Sequence, residues 1–140
     1  MRSLITLFMV LFAVGCSADR YVDMIPVNLH SWDKPVSILY DNTDTLSLRN
    51  ISVALRYNSD FAADTLSVMV QVSLPDAYQS CEKVTLCLDR PYKAAAVTGS
   101  ELASYRRGCR LDQRGYYIFT ITPCSAVKGI EAVGIGIDKE

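Results

Sequence analysis

The sequence predicts an all-β protein, an antiparallel β-sandwich of about six to eight short strands. Apolar and polar residues alternate most clearly over 65–74, where Leu66, Val68 and Val70 share one face. Clusters of turn-forming residues, such as 41–44, separate the alternating stretches at regular intervals. Short alternating strands with regular turn signals are typical of a sandwich.

The same period of two predicts further strands at 36–40, 51–57, 84–88, 117–121 and 133–137. Leu46 and Leu48 have the opposite phase to the strand that begins at Ile51, which predicts a bulge or break at Arg49-Asn50. The best helical candidate, residues 100–107, is short. Trp32, just before the first of these strands, is expected to fill the core.

The N-terminus has the pattern of an export signal. A positive start at Arg2 precedes an apolar run over 4–14, which is too short for a spanning helix of ~20 residues and fits a signal-peptide core. The run ends in small residues before Cys16 and resembles a bacterial lipobox, although Ala13 stands where leucine is more common. The alternative is an ordinary signal peptide cut nearby. We therefore expect a lipoprotein signal peptide (1–15), a lipidated Cys16 with a polar tether (16–31), and a β-sandwich domain (32–140).

Four cysteines remain after Cys16, and an even number in an exported chain predicts disulfides. Cys81 and Cys87 share one face of a single predicted strand, ~20 Å apart, so they cannot bond to each other. Each is expected to pair with Cys109 or Cys124. Free thiols are the alternative. A zinc site is not expected, because no C-x-x-C spacing occurs and the lone histidine is distant in sequence.

Composition argues against several functional classes. A formal net charge of −1 and no basic cluster larger than Arg106-Arg107 argue against nucleic-acid binding. His30 is the single histidine, and neither G-x-S-x-G nor S-x-x-K occurs. The sequence therefore predicts a non-enzymatic protein without a cofactor.

The tyrosines suggest a binding alternative. Tyr116 and Tyr117 are adjacent, so one should face the core and the other the solvent. Tyr78, Tyr92 and Tyr105 are predicted in or near loops. Exposed aromatic side chains can form a contact surface for a glycan or a protein.

Two stretches of the chain together resemble a known family. The first is 51–61, where a strand leads into Arg56-x-Asn58-x-Asp60-Phe61. The second comprises a G-x-Y strand from Gly115 and a final G-I-x-x-V-G strand from Gly129. Both are similar to the gliding-motility lipoprotein GldH of Bacteroidota. Residues 92–108 lack that family's glycine- and tryptophan-rich segment, so the chain is identified as a divergent member.

The resemblance implies a cell-envelope lipoprotein, anchored by Cys16 in the outer membrane and contributing to a gliding- or secretion-related assembly. It implies envelope protein partners and no catalytic residues. A surface or periplasmic module that binds a glycan or protein remains the alternative. In the first block, we expect Arg56 and Asp60 to close the turn by a hydrogen bond. Gly129 and Gly134 are expected to allow tight backbone geometry.

Overall fold

The structure, a computed structural model, describes residues 20–88 and 98–140, and these residues form eight β-strands. Within these residues there is no helix. The strands in chain order are β1 (Arg20–Pro26), β2 (Val36–Asn42), β3 (Leu48–Asn58), β4 (Thr65–Ser73), β5 (Gln79–Cys87), β6 (Thr98–Arg110), β7 (Gly115–Pro123) and β8 (Ile130–Lys139).

The strands form two four-stranded antiparallel sheets. Sheet I has the order β1-β8-β3-β6, and sheet II has the order β2-β7-β4-β5. The edge strands β5 and β6 approach each other on one side of the sandwich, and β1 and β2 approach each other on the other side. The predicted antiparallel β-sandwich is confirmed.

The sandwich has two ends, which we name after one residue in each. The Arg20 end comprises Arg20, the loops 43–47, 74–78 and 111–114, and Glu140. The Trp32 end comprises the loops 27–35, 59–64 and 124–129.

The inward faces of the two sheets form one apolar core, and the predicted strand faces supply most of it. Trp32 is 1% exposed, and its indole Nε1 donates a hydrogen bond of 2.8 Å to the Lys34 carbonyl, so its expected core position is confirmed. Tyr117 is buried while Tyr116 is 56% exposed, which confirms the opposite orientations expected of these neighbours.

A β-bulge interrupts the pairing of β3 with β6 at the predicted place. The register shifts between Arg49 and Ile51 and again before Ser52. The extra residues lie in β6, because β6 advances from Cys109 to Arg106 while β3 advances only from Arg49 to Ile51. In β3 the alternation continues unbroken, so that Arg49 lies on the same inward side as Ile51 and is only 6% exposed although it carries a charge. Leu48 is on the outward side of this alternation, so the phase change inferred from Leu46 and Leu48 is not present in β3.

The first strand, β1, corrects the predicted tether. Residues 20–26 pair with β8 from Arg20↔Asp138 to Pro26↔Ala132, so the folded domain begins well before residue 32. Gly134 is what lets β1 lie so close, because a Cβ at this position would be 1.7 Å from the Asp23 carbonyl oxygen. The tight geometry expected of Gly134 is therefore present.

The helical candidate at 100–107 is wrong. These residues lie within β6, the longest strand, which pairs with β3 along its whole length. Ala103 is buried on the inward face, and Tyr105 packs partly against the core. Pairing with β3 outweighs the weak helical preference of this segment.

The turn after β3 is closed differently from expectation. No hydrogen bond joins Arg56 to Asp60 in the described parts of the chain. Instead, the side-chain Oδ1 of Asn58 accepts a hydrogen bond of 2.9 Å from the Asp60 amide, and the Asn58 carbonyl accepts one from Phe61. The Asn58 amide donates to the Gly129 carbonyl at 2.9 Å. Asn58, rather than an Arg56–Asp60 pair, therefore organises this corner.

Candidate functional site

The predicted lipidation residue, Cys16, lies outside the described residues. The other four cysteines are free thiols in the structure, so the predicted disulfides are not confirmed. Because β5 runs without interruption over Gln79–Cys87, the argument that separates Cys81 from Cys87 applies.

The fold also separates Cys87 from Cys124. Cys87 pairs across to β4, while the Cys124 amide donates to Ser67 on the opposite edge of β4. Two strand spacings, about 10 Å, therefore separate Cys87 from Cys124, more than the ~7 Å that a disulfide spans. Cys81 and Cys109, in contrast, line one common site.

That site is an open cleft between the edge strands β5 and β6. It encloses about 410 Å³ near the Arg20 end of the sandwich. Cys81, Glu82, Tyr105, Arg106 and Cys109 lie around it, and the apolar side chains that line it are Ile51, Val72, Leu74, Leu111, Tyr117 and Phe119. We call it the β5–β6 cleft.

A polar bridge crosses the mouth of the β5–β6 cleft. The Tyr105 hydroxyl donates a hydrogen bond of 2.6 Å to Glu82 Oε1, and Arg106 pairs with the same carboxylate. The Arg106 guanidinium also lies 5.0 Å from the centre of the Tyr105 ring. Burial, reinforced by the Glu82 carboxylate, raises the pKa of Tyr105 to about 12. The phenol is therefore a neutral donor at physiological pH.

The chemistry of the β5–β6 cleft suits binding. Burial raises the pKa of the Cys109 thiol, whose Sγ donates to the Arg49 carbonyl at 3.4 Å, so this sulfur is a weak nucleophile at neutral pH. Apolar walls with a few polar groups at the rim are typical of sites that hold an apolar or aromatic side chain.

A second, cationic cavity of about 260 Å³ lies at the Arg20 end, lined by Arg20, Arg49 and Lys139 among others. Arg49 donates to the Tyr40 hydroxyl at 3.2 Å and lies 3.6 Å from the Asp44 carboxylate. Lys139 lies 3.6 Å from the same carboxylate. The Nε of Arg49 is buried and has no hydrogen-bond partner among the described atoms.

Asp44 organises the loop beside this cavity. Its carboxylate accepts hydrogen bonds from the Ser47 hydroxyl and from the amides of Leu46 and Ser47, at 2.9 Å and 3.1 Å for the two amides. These bonds hold the pKa of Asp44 well below its usual range. This cluster is not among the sites predicted from the sequence. Two signals in the sequence point to it. Asp44 stands three residues before Ser47, a spacing that favours such a turn, and Arg49 lies beside the bulge.

The tyrosines named as binding candidates have different environments. Tyr78 is 64% exposed in the loop between β4 and β5, whereas Tyr105 is half-buried within β6 and is not in a loop. Tyr92 lies outside the described residues. Tyr116 adjoins the cross-strand pair of Leu39 and Ile118, and all three are exposed on the outer face of sheet II.

Comparisons with known proteins give no family assignment. No protein-family model matches the chain, and no curated protein is similar enough to match it. In the described parts of the chain, no cluster of three or more His, Cys, Asp or Glu residues could hold a metal ion. The same residues contain no helix that is long and apolar enough to cross a membrane.

Proposed function

We propose that this chain is a non-enzymatic cell-envelope lipoprotein related to GldH, anchored through Cys16 in the outer membrane. Its β-sandwich contributes to a protein assembly connected with gliding motility or secretion. The lipobox-like segment that ends at Cys16 and the two sequence blocks similar to GldH support this proposal.

The observation that carries the proposal is where those two blocks lie in the fold. Residues 51–61 form most of β3 and its turn, and the final block forms β8, which pairs directly with β3. The two turns meet at the Trp32 end, where Asn58 bonds to Gly129. Two of the three similar segments, β3 and β8, are therefore neighbours in sheet I, while the G-x-Y strand from Gly115 is β7 in sheet II.

The β5–β6 cleft is the surface that we assign to a partner protein of this assembly. It opens between two sheet edges, and its apolar walls can take an aromatic or aliphatic side chain of the partner. β5 and β6 are edge strands of the described sheets, and an edge strand can also pair with a strand from a partner.

Site-specific photo-crosslinking in cells tests this function. A photoreactive residue at exposed Ser80, on the rim of the cleft, should capture motility or secretion components that mass spectrometry identifies. The same residue at exposed Ala62, at the Trp32 end, is the matched control. Capture should be lost when Cys16→Ala removes the anchor. Equal capture from both positions, or none from Ser80, would contradict the assignment.

The exposed aromatic patch favours a second candidate function, binding of a glycan or a protein through Tyr116. This residue and the Leu39–Ile118 pair form an apolar surface on the outer face of sheet II. Tyr116→Ser should then abolish binding to purified envelope glycans or proteins, while Tyr78→Ser, in a separate loop, should leave it unchanged. Identical binding by the wild type and Tyr116→Ser would eliminate this candidate.

A further inference from the structure

We infer that the Arg20 end of the sandwich rests on the bilayer, with Leu46 at the lipid interface and phospholipid headgroups at the cationic cavity of Arg20, Arg49 and Lys139. This inference rests on the proposed function, because it takes Cys16 as the lipid-bearing residue. It adds an orientation for the domain and a specific contact surface.

The chain between Cys16 and the first strand is short. Strand β1 begins at Arg20, so only residues 17–19 intervene. Four Cα–Cα steps span at most about 14 Å. The hydrocarbon edge and the bilayer surface are separated by about 6 Å of headgroups, so little length remains beyond that layer. Arg20 must therefore stay close to the bilayer surface in every orientation of the domain.

Exposed apolar side chains are concentrated toward the Arg20 end. Among the described residues, eight large hydrophobic side chains are exposed. Four of them lie at or next to the Arg20 end, namely Leu46, Leu48, Tyr78 and Tyr116. Of these eight side chains, Ile25 lies toward the Trp32 end. The membrane–water interface favours apolar and tyrosine side chains, because it offers an aromatic ring both apolar and polar surroundings.

Leu46 is 80% exposed, yet hydrogen bonds fix the position of its backbone. The Asp44 carboxylate accepts a hydrogen bond from the Leu46 amide, and it also lies 3.6 Å from both Arg49 and Lys139. The loop therefore presents an exposed leucine in a fixed position. Because its backbone is already ordered, insertion of Leu46 into lipid loses little further conformational entropy.

The cavity beside that loop is positively charged. It is lined by three cations, Arg20, Arg49 and Lys139, against one carboxylate, that of Asp44. Arg49 is more than nine-tenths buried, and its Nε has no hydrogen-bond partner in the described structure. A phosphate oxygen of a phospholipid headgroup is a suitable acceptor for the exposed Arg20 and the partly exposed Lys139, while the buried Arg49 adds positive charge beside them. The cavity and Leu46 thus match the polar and apolar layers of one bilayer surface.

Fluorescence quenching tests this orientation. The full lipidated protein carrying Leu46→Trp is reconstituted into phosphatidylethanolamine and phosphatidylglycerol vesicles with brominated acyl chains, which quench tryptophan on contact. The control is Ala62→Trp, at the exposed Trp32 end. Both variants retain Trp32, which is buried and contributes the same background. We expect the added emission of Leu46→Trp to be largely lost, and that of Ala62→Trp to persist.

Three outcomes would overturn the inference, and they differ in what else they affect. If the protein co-floats with vesicles but Leu46→Trp is unquenched, the anchor stands and the orientation fails. If both added tryptophans are quenched equally, the domain has no preferred end. If the wild type does not co-float, the proposed anchor fails together with the inference. Adding Arg20→Gln to Leu46→Trp should weaken quenching; an unchanged value would overturn the role of the cationic cavity.

Discussion

Gly129 is in direct contact with the backbone of Phe61, and no larger residue fits between them. A Cβ on Gly129 would lie 2.3 Å from the Phe61 nitrogen, and Gly129 has a φ of +89°. Gly129→Ala therefore combines a backbone clash with an unfavourable dihedral angle. We expect it to lower the free energy of unfolding by about 2–3 kcal/mol, as measured by urea denaturation.

Gly108→Ala is the matched control for that substitution. Gly108 also has a positive φ, +61°, but a Cβ there would meet only the flexible side chain of Glu140, at 3.3 Å. The cost should be about 1 kcal/mol, that of the dihedral angle alone. Equal losses for the two variants would mean that the Phe61 contact contributes nothing.

Gly134→Ala should detach β1 from sheet I. The added methyl group would overlap the Asp23 carbonyl oxygen, so β1 must move away from β8. Hydrogen exchange followed by mass spectrometry should show that residues 20–26 lose protection while β3, which does not pair with β1, remains protected. Gly136→Ala is the control, because its Cβ would meet the Leu102 side chain, which can rotate. Unchanged protection of residues 20–26 in Gly134→Ala would contradict the close approach.

Asp44 should make the protein sensitive to acid. Its pKa is lowered in the folded state, mainly by the Ser47 hydroxyl and then by the Leu46 and Ser47 amides. A carboxyl group whose folded pKa is lowered stabilises the fold above its unfolded pKa of ~3.9, and this stabilisation is lost as the pH falls toward the folded value. Denaturation curves should show wild type more stable than Asp44→Asn at pH 7.

The difference between wild type and Asp44→Asn should shrink progressively below about pH 4. Asp41→Asn, which removes an exposed carboxylate nearby, controls for the loss of one negative charge. A difference that stays constant down to strongly acidic pH would show that hydrogen bonding to the ionised Asp44 is not the source of the stabilisation.

The four described cysteines should differ in reactivity. Cys81, Cys87 and Cys124 are exposed, whereas Cys109 is partly buried and its pKa is raised by that burial. Alkylation without reductant, followed by peptide mass spectrometry, should therefore modify the first three quickly and Cys109 slowly. All four should react in denaturant. A pair that resists alkylation in denaturant until reductant is added would instead support the disulfides predicted from the sequence.

The strands that the sequence predicts well are those with one buried and one exposed face. β4 and β7 alternate regularly because one face of each packs in the core while the other faces solvent. The register shift between β3 and β6 occurs at Arg49, as predicted, but its extra residues lie in β6, and the exposed Leu46 and Leu48 do not face the core. Periodicity therefore gives the fold class and much of the core.

Periodicity fails where a strand lies at the edge of a sheet. β1 pairs on one side only, and both of its faces are largely exposed, so its sequence carries no clear alternation. β6 also forms an edge, and its inward residues are Glu101, Ala103 and Tyr105, which give a weak apolar signal. The two cavities described above are built largely from such edges, and they depend on contacts between distant strands that no local pattern encodes.

The position of β8 has a consequence for the time at which the protein can finish folding. This last strand lies between β1 and β3, so the N-terminal strand has no neighbour in its sheet until the C-terminal residues are available. Sheets that depend on pairing between the two termini of a chain form slowly compared with local hairpins. On the proposed function the chain is exported N-terminus first, and β1 then cannot pair with β8 until residues 130–139 have crossed the membrane.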